Sequence, residues 1–254
     1  MVIEHPIFEK SADPDALVWR YMDFTKFVDI LDTKSVFFAR SDEFEDRFEG
    51  SYPQINVTAR AQKLREQGAP PVISQLERYL SKEIRRYVAL NCWHMNSHES
   101  AAMWRLYLKS NEGIAIQSTY RQLIASFQDC EETIHVGLVK YIDYEQDRIP
   151  EKNERYLLDP FVYKRKSFSH ENEIRAVLVR YPPSVDGKPD KPDFSKETIV
   201  GGINVPVNLE RLISRVCVAP GSPPWLKRLV ESVARKYGIN SPVIQSNLDN
   251  SPIY

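Results

Sequence analysis

The run Arg85 to Thr119, RRYVALNCWHMNSHESAAMWRLYLKSNEGIAIQST, constrains the fold of this chain more than any other stretch. Tyr87 to Leu90 is a short β-branched and apolar run, and the chain turns polar at Asn91. Asn96 followed by Glu99 has the spacing of a capping box, which predicts a helix beginning near Ser97. Ala101, Trp104, Tyr107 and Leu108 then share one face, and Asn111-Glu112-Gly113 supplies the stop. Gly113 to Gln117 is a second apolar strand. A strand, a helix and a strand this close together predict a right-handed parallel crossover. In such a unit the loop leaving the first strand lies at the helix N-terminus, where backbone N–H groups and the helix dipole favour anions. That loop holds Trp93, His94, Asn96, Ser97, His98 and Glu99.

Around this unit the chain alternates short apolar strands with amphipathic helices. Leu17 to Tyr21 reads as a strand carrying Arg20, and Asp23 can cap a helix whose Phe24, Phe27, Val28 and Leu31 share a face. Ser35 to Ala39 is a strand that runs into the acidic segment RSDEFEDRFEGSYP. Residues 56–86 read as an insertion of two helices broken at Gly68-Ala69-Pro70-Pro71, the second amphipathic through Ile73, Leu76, Leu80 and Ile84. Their many Arg, Lys and Glu side chains read as solvated outer faces.

A strand from Ile134 to Tyr141 comes later, then a polar loop from Asp143 to Asn153. Asp159-Pro160 begins a short helix that includes Tyr163, Lys164, Arg165 and Lys166. Ile174, Ala176 and Leu178 face one side of a strand while Glu173, Arg175 and Val177 face the other. Tyr181 to Thr198 is an exposed loop. Strands at Ile199–Val207 and Arg215–Ala219, helices at Leu209–Ile213 and Trp225–Tyr237, and an edge strand at Val243–Gln245 complete the chain. The expected fold is a single α+β (mixed α/β) domain over 1–254: one sheet with a central strand-helix-strand unit, flanking helices and the helical insertion.

Composition narrows the function classes. A formal charge of −1 over 254 residues argues against a mainly electrostatic nucleic-acid or membrane binder, local patches aside. Cys92, Cys130 and Cys217 are odd in number and widely spaced, which speaks for a reducing compartment rather than a disulfide framework or structural zinc. MVIEHPIFEK has no signal-peptide character and no apolar run approaches spanning length, so a soluble cytoplasmic protein without a membrane partner is expected.

Several residues have the chemistry for a site. The Trp93-to-Glu99 loop suits a phosphate or nucleotide, or is an ordinary capped helix entry. His94 and His98 are four apart but straddle the expected cap, so a metal pair is not expected. Asp42, Glu43, Glu45, Asp46 and Glu49 suit either a divalent ion, as in a metal-dependent hydrolase or nuclease, or pairing with arginines, with Arg20 a natural partner of Asp46 and Glu49, and Glu173 a further candidate partner for Arg20. Arg20 leaves an apolar strand, and a buried guanidinium requires carboxylates or an anionic ligand. Glu171 and Glu173, two apart at a strand entrance, suit general-base work or the stabilisation of a sugar cation. Lys164 and its basic neighbours either neutralise phosphates or offset these acids.

Four segments carry a resemblance: VWRYMDF with VFFARSDEFEDRFEG, NCWHMNSHESAAMWRLYLKSNEGIAI, YKRKSFSHENEIRAV, and VAPGSPP with VIQS. Over nearly its whole length the chain resembles the bacterial family named domain of unknown function 2971 (DUF2971). The resemblance implies a bacterial source and a shared fold, without a reaction. Arg47 stands where many relatives have proline in the Phe-Glu-Gly turn. A fragmentary second likeness, Arg20 on an early strand, Ser118-Thr119 closing a middle strand and Glu171-x-Glu173 at a late strand, resembles the Arg, Ser and Glu-x-Glu series of ADP-ribosyltransferases. The full Ser-Thr-Ser of that series is absent.

That likeness implies NAD as ligand. Arg20 would hold its pyrophosphate, Ser118 would steady the site, Glu173 would bond the nicotinamide ribose, and Glu171 would activate the acceptor. Glu173, Glu171 and Arg20 are thus the candidate catalytic residues, and Trp93, His94, Asn96, Ser97, Ser118, Tyr163 and Lys164 the candidate ligand-binding ones. The expected function is an enzyme acting on a nucleotide or nucleic-acid-related substrate. The alternative is a non-catalytic interaction module in which the same charges close into structural pairs.

Overall fold

A computed structural model describes residues 1–108, 110–150, 157–184 and 192–253, and among these the chain is an α+β fold built on one mixed sheet of nine strands. Strand β1 (Leu17–Asp23) passes through helix α1 (Phe24–Thr33) into β2 (Ser35–Arg40). Phe27, Ile30 and Leu31 are the buried face of α1, and Lys34 ends it in the left-handed region at φ 49°. The insertion is α2 (Gln54–Glu66) and α3 (Pro71–Glu83), broken where the Gly-Ala-Pro-Pro sequence requires. The expected inner stripe of α3 fails, because Ile73 and Leu76 are exposed and only Ile84, just past the helix, is buried.

Next come β3 (Val88–Met95), α4 (Ala101–Tyr107), β4 (Gly113–Thr119) and α5 (Tyr120–Ser126). Strand β5 (Ile134–Leu138) belongs to the main sheet, whereas β6 (Lys140–Ile142) pairs in parallel with β7 (Tyr163–Arg165) as a separate ribbon. Tyr163–Arg165 is therefore strand and not the helix expected there; three residues are too few to show a period. The chain closes with β8 (Glu173–Val179), β9 (Gly202–Pro206), α6 (Leu209–Leu212), β10 (Arg215–Val218), α7 (Pro224–Lys236) and β11 (Val243–Gln245). Parts of the two polar loops expected at 143–153 and 181–198 lie outside the described residues.

The central unit differs from the expected crossover in one respect. Strand β1 is antiparallel to both β3 and β4, so those two run parallel, but β1 lies between them. The helix also starts later than the Asn96–Glu99 spacing indicates. Ser100 is the N-cap, its side chain accepting from the Met103 N–H, and Met103 and Trp104 are the buried residues of α4 while Ala101 is exposed. Glu99 is drawn elsewhere: it accepts from Trp104 Nε1 at 2.9 Å, Ser246 Oγ at 2.7 Å and the Asn247 N–H at 2.7 Å.

The sheet forks at β3. One edge of β3 pairs with β8 from Val88 to His94. The other edge is shared: Met95 and His94 pair with Val18 and Trp19 of β1, and Leu90 and Ala89 pair with Ala39 and Arg40 of β2. Asn91, Cys92 and Trp93 have no strand partner on that edge, and β1 and β2 splay apart there, toward β4 and β9 respectively. Alternation along β8 holds as read. Ile174, Ala176 and Leu178 join the larger core with Val18, Leu31, Ile116 and Val230, while Val177 packs in a second cluster with Tyr87 and Phe161. No helix among the described residues is long and apolar enough to cross a membrane.

Candidate active site in the fork of the sheet

Where the strands separate, side chains replace the missing ladder. Arg20 Nη1 donates to the Cys92 carbonyl at 2.8 Å and Nη2 to the Phe37 carbonyl at 3.4 Å. Asn91 Nδ2 donates to the same Phe37 carbonyl at 2.8 Å, and its Oδ1 accepts from Trp93 Nε1 at 2.6 Å. The Arg20 guanidinium lies 5.9 Å from the Trp93 ring centroid. No carboxylate pairs with Arg20 among the described residues. Asp46, its expected partner, bonds Arg165 at 2.7 Å instead. A guanidinium carries five N–H donors, so Arg20 keeps several for a ligand.

Arg20 lines a hollow of about 500 Å³ set in the fork, within the range of small-molecule sites (roughly 300–1,000 Å³). Trp19, Tyr21, Phe44, Trp93 and Tyr107 form much of its wall, and His94, Glu171 and Glu173 add polar groups. Three segments distant in sequence thus meet at one cavity: β1 with Arg20, the end of β3 with Trp93 and His94, and the entry to β8 with Glu171 and Glu173.

His94 sits opposite Glu173 in the ladder. Its Nδ1 is 2.5 Å from the Glu171 carbonyl, which can only accept, so Nδ1 carries the hydrogen. Burial lowers the pKa of the ring, which leaves it neutral and Nε2 unprotonated. That nitrogen is buried and has no hydrogen-bond partner.

The two acids are brought together differently from the two-residue strand period. Glu171 ends a short 3₁₀ helix outside β8, and Asn172 turns through the left-handed region at φ 37°. Lys164 Nζ then bonds both, Glu171 at 2.6 Å and Glu173 at 2.7 Å. The second oxygen of Glu173 takes Arg175 Nε at 2.7 Å, and the Arg175 fork closes on Glu49 at 2.6 and 2.8 Å. Gly50 makes the turn that presents Glu49: its φ is +67°, and a Cβ there would meet Phe161 at 2.3 Å.

The result is a buried line of alternating charge, Glu171–Lys164–Glu173–Arg175–Glu49, with three acids against two bases. One proton therefore has a place in it. Burial pushes the Glu171 carboxyl up to about 8, helped by the hydrogen bond and repulsion from Glu173 and opposed by Lys164. Burial acts the same way on Glu173, but Arg175, the hydrogen bond from Glu171 and Lys164 together outweigh it and hold that carboxyl below its ordinary range.

A carboxyl with its pKa raised in the fold binds its proton more tightly there than in the unfolded chain. The stability this confers is complete below the unfolded value of 4.5 and is lost as pH rises through about 8. Glu171→Gln is accordingly expected to match the parent near pH 5 and exceed it near pH 9. The gain is at most about 5 kcal/mol at ~1.4 kcal/mol per pH unit, read from urea denaturation at the two pH values.

Other candidates lie away from the hollow. The Asn96 N–H donates to the Leu17 carbonyl at 3.1 Å and its own carbonyl accepts from Trp19 Nε1 at 2.9 Å. Ser97 is exposed beside His98. Ser118 is buried within the sheet opposite Val18, and Tyr163 pairs with Lys140 in the small ribbon. Lys164 is an internal counter-ion and does not line the cavity. The acidic segment is taken up by arginines: Asp42 and Glu43 bond Arg40, Asp46 bonds Arg165 and Glu49 bonds Arg175. Among the described residues no group of three His, Cys, Asp or Glu side chains is placed to hold a metal ion.

Arg175 and Tyr107 were not foreseen at the site. Arg175 had a signal: a lone cation inside the apolar strand EIRAVLV must be buried, and a buried guanidinium demands carboxylates.

Comparison with protein-family models gives no match, and neither does comparison with curated proteins; the DUF2971 resemblance rests on the quoted motifs alone. Among solved structures, two of DarT from Thermus sp. 2.9 align with the chain. The one in complex with carba-NAD+ has a TM-score of 0.41 at 8% identity, covering 94% of this chain and 98% of that one. The one in complex with ADP-ribosylated ssDNA has a TM-score of 0.42 at 7% identity, covering 95% and 98%. A likeness at that level assigns no family, and the site is read from its own geometry.

Proposed function

We propose that the hollow in the fork binds a nucleotide and transfers a group from it, most concretely ADP-ribose from NAD to a nucleophilic acceptor. The observation that carries this reading is the meeting of Arg20, His94, Glu171 and Glu173 at one aromatic-walled cavity. Arg20, held at the fork by two backbone carbonyls and without a carboxylate partner among the described residues, is the group for the pyrophosphate. Tyr107, exposed at the cavity wall, offers a flat face for a ring.

Glu173 keeps its charge because Arg175 and Lys164 hold it, and once Glu171 is ionised each of its oxygens retains a lone pair for a ribose hydroxyl. A fixed carboxylate beside the ribose lowers the energy of the cation that develops at its anomeric carbon. The glycosidic C–N bond breaks with its electron pair leaving on the nicotinamide nitrogen, and the acceptor's lone pair forms the new bond to that carbon. The acceptor proton passes to Glu171, which can take it only when ionised. The rate is therefore expected to rise with pH and level off above about 8.

The test is incubation of the purified protein with NAD, with nicotinamide release followed across pH 6 to 9 by chromatography. Release that climbs toward pH 8 is the expected result. Absence of release both with water and with a mixed panel of nucleic-acid and protein acceptors opposes the reading. An interaction module accounts for Lys164, Arg175 and Glu49, whose charges are closed on one another. It does not account for Arg20 and His94, whose polar atoms remain available at a cavity.

A further inference from the structure

The helical insertion holds a second, separate feature. Residues 54–86 carry seven Arg and Lys against three Glu, a net of +4 in a chain whose total is −1. These charges do not all point outward as solvated faces would. Ser74, Arg78, Lys82 and Arg85 recur at helical spacing, one stripe running down α3 and just beyond it, and they line a hollow of about 210 Å³ between α2 and α3. Arg60 enters from α2 and stacks on the Tyr52 ring, 3.8 Å from its centroid.

Among the described residues no carboxylate pairs with Arg78, Lys82 or Arg85, and Glu77 is the one acid on the wall. Arg85 Nε is buried without a hydrogen-bond partner. Like charges gathered in one concavity repel unless an anion lies among them, and a buried N–H without an acceptor is costly.

We propose that the hollow between α2 and α3 is a phosphate-binding site, its phosphate belonging to a free phosphorylated compound or to a nucleic-acid backbone. Arg78, Lys82 and Arg85 supply the charge, Ser81 supplies a hydroxyl donor, and Tyr52 with Arg60 forms a flat wall on which a base can stack. The site stands apart from the cavity in the sheet fork and does not depend on the chemistry proposed there.

Two probes test it on the full chain: a labelled single-stranded oligonucleotide of mixed sequence by fluorescence anisotropy, and inorganic pyrophosphate by thermal shift. Each is run on the parent and on the double variant Arg78→Ser/Lys82→Ser, whose two positions are exposed and leave the core untouched. If the phosphate is polymeric, the oligonucleotide binds more weakly as salt rises. The double variant then binds at least tenfold more weakly, with a log-log salt slope flatter by about 1.4, or ~0.7 per lost cation. If the phosphate is free, pyrophosphate stabilises the parent and not the double variant, and the oligonucleotide does not bind. Binding of neither probe overturns the proposal. So does binding that survives the double substitution, which places the anion elsewhere, as at Arg20.

Discussion

Arg175→Met is expected to destabilise the protein by about 3–5 kcal/mol, because it leaves Glu49 and Glu173 buried without their shared cation. The methionine fills similar space, so the loss reports charge more than volume. Arg175 is fully buried and donates to both acids and to the Phe161 carbonyl. Neutralising one orphan in the same background, Arg175→Met with Glu49→Gln, is expected to recover part of the loss. Urea denaturation of the parent and both variants checks this. A cost below about 1 kcal/mol for the single change would mean that the charge line is not built as described.

Glu173→Gln is expected to lower nicotinamide release by about two to four orders of magnitude while the fold persists. The fold persists because Arg175 keeps both contacts to Glu49, and Lys164 keeps Glu171. The same substitution has a second consequence that a purely structural residue would not produce. With Glu173 neutral, the line holds two acids against two bases, and Glu171 loses the repulsion that helps hold its proton. Glu171 is then expected to titrate well below 8, which carboxyl-carbon NMR of labelled protein reads directly.

Much of the fold was legible because it is written in local periodicity. The spacing of Phe27 and Leu31, the alternation through Ile174, Ala176 and Leu178, and the Gly-Ala-Pro-Pro break in the insertion each fix an element without knowledge of its neighbours. Strand order is not local. Nothing in the run Val88 to Thr119 announces that β1 lies between its two strands, since that pairing is decided by Leu17–Asp23, far away in sequence. The fork of the sheet, on which the site depends, follows from the same non-local choice and was invisible for the same reason.

The site residues divide along that line too. Arg20, Glu171 and Glu173 were legible as charges that apolar surroundings would have to explain. Asn96 and Ser97 suit an anion at a helix N-terminus, but Ser100 caps α4 and Asn96 ties β3 to β1. Lys164 reads in the sequence as a phosphate ligand, whereas two carboxylates within 2.7 Å commit its ammonium. Which acid a buried cation meets is a tertiary fact, and here three such partners came from sequence separations of 7, 9 and 126 residues.

The most direct measurement is a calorimetric titration of NAD into the purified protein and into Arg20→Met, whose folding is verified by thermal unfolding. The fork reading predicts one binding site in the parent and at least a tenfold weaker one in the variant, a loss of ~1.4 kcal/mol or more. No heat of binding in the parent, or equal affinity in the two proteins, would contradict it.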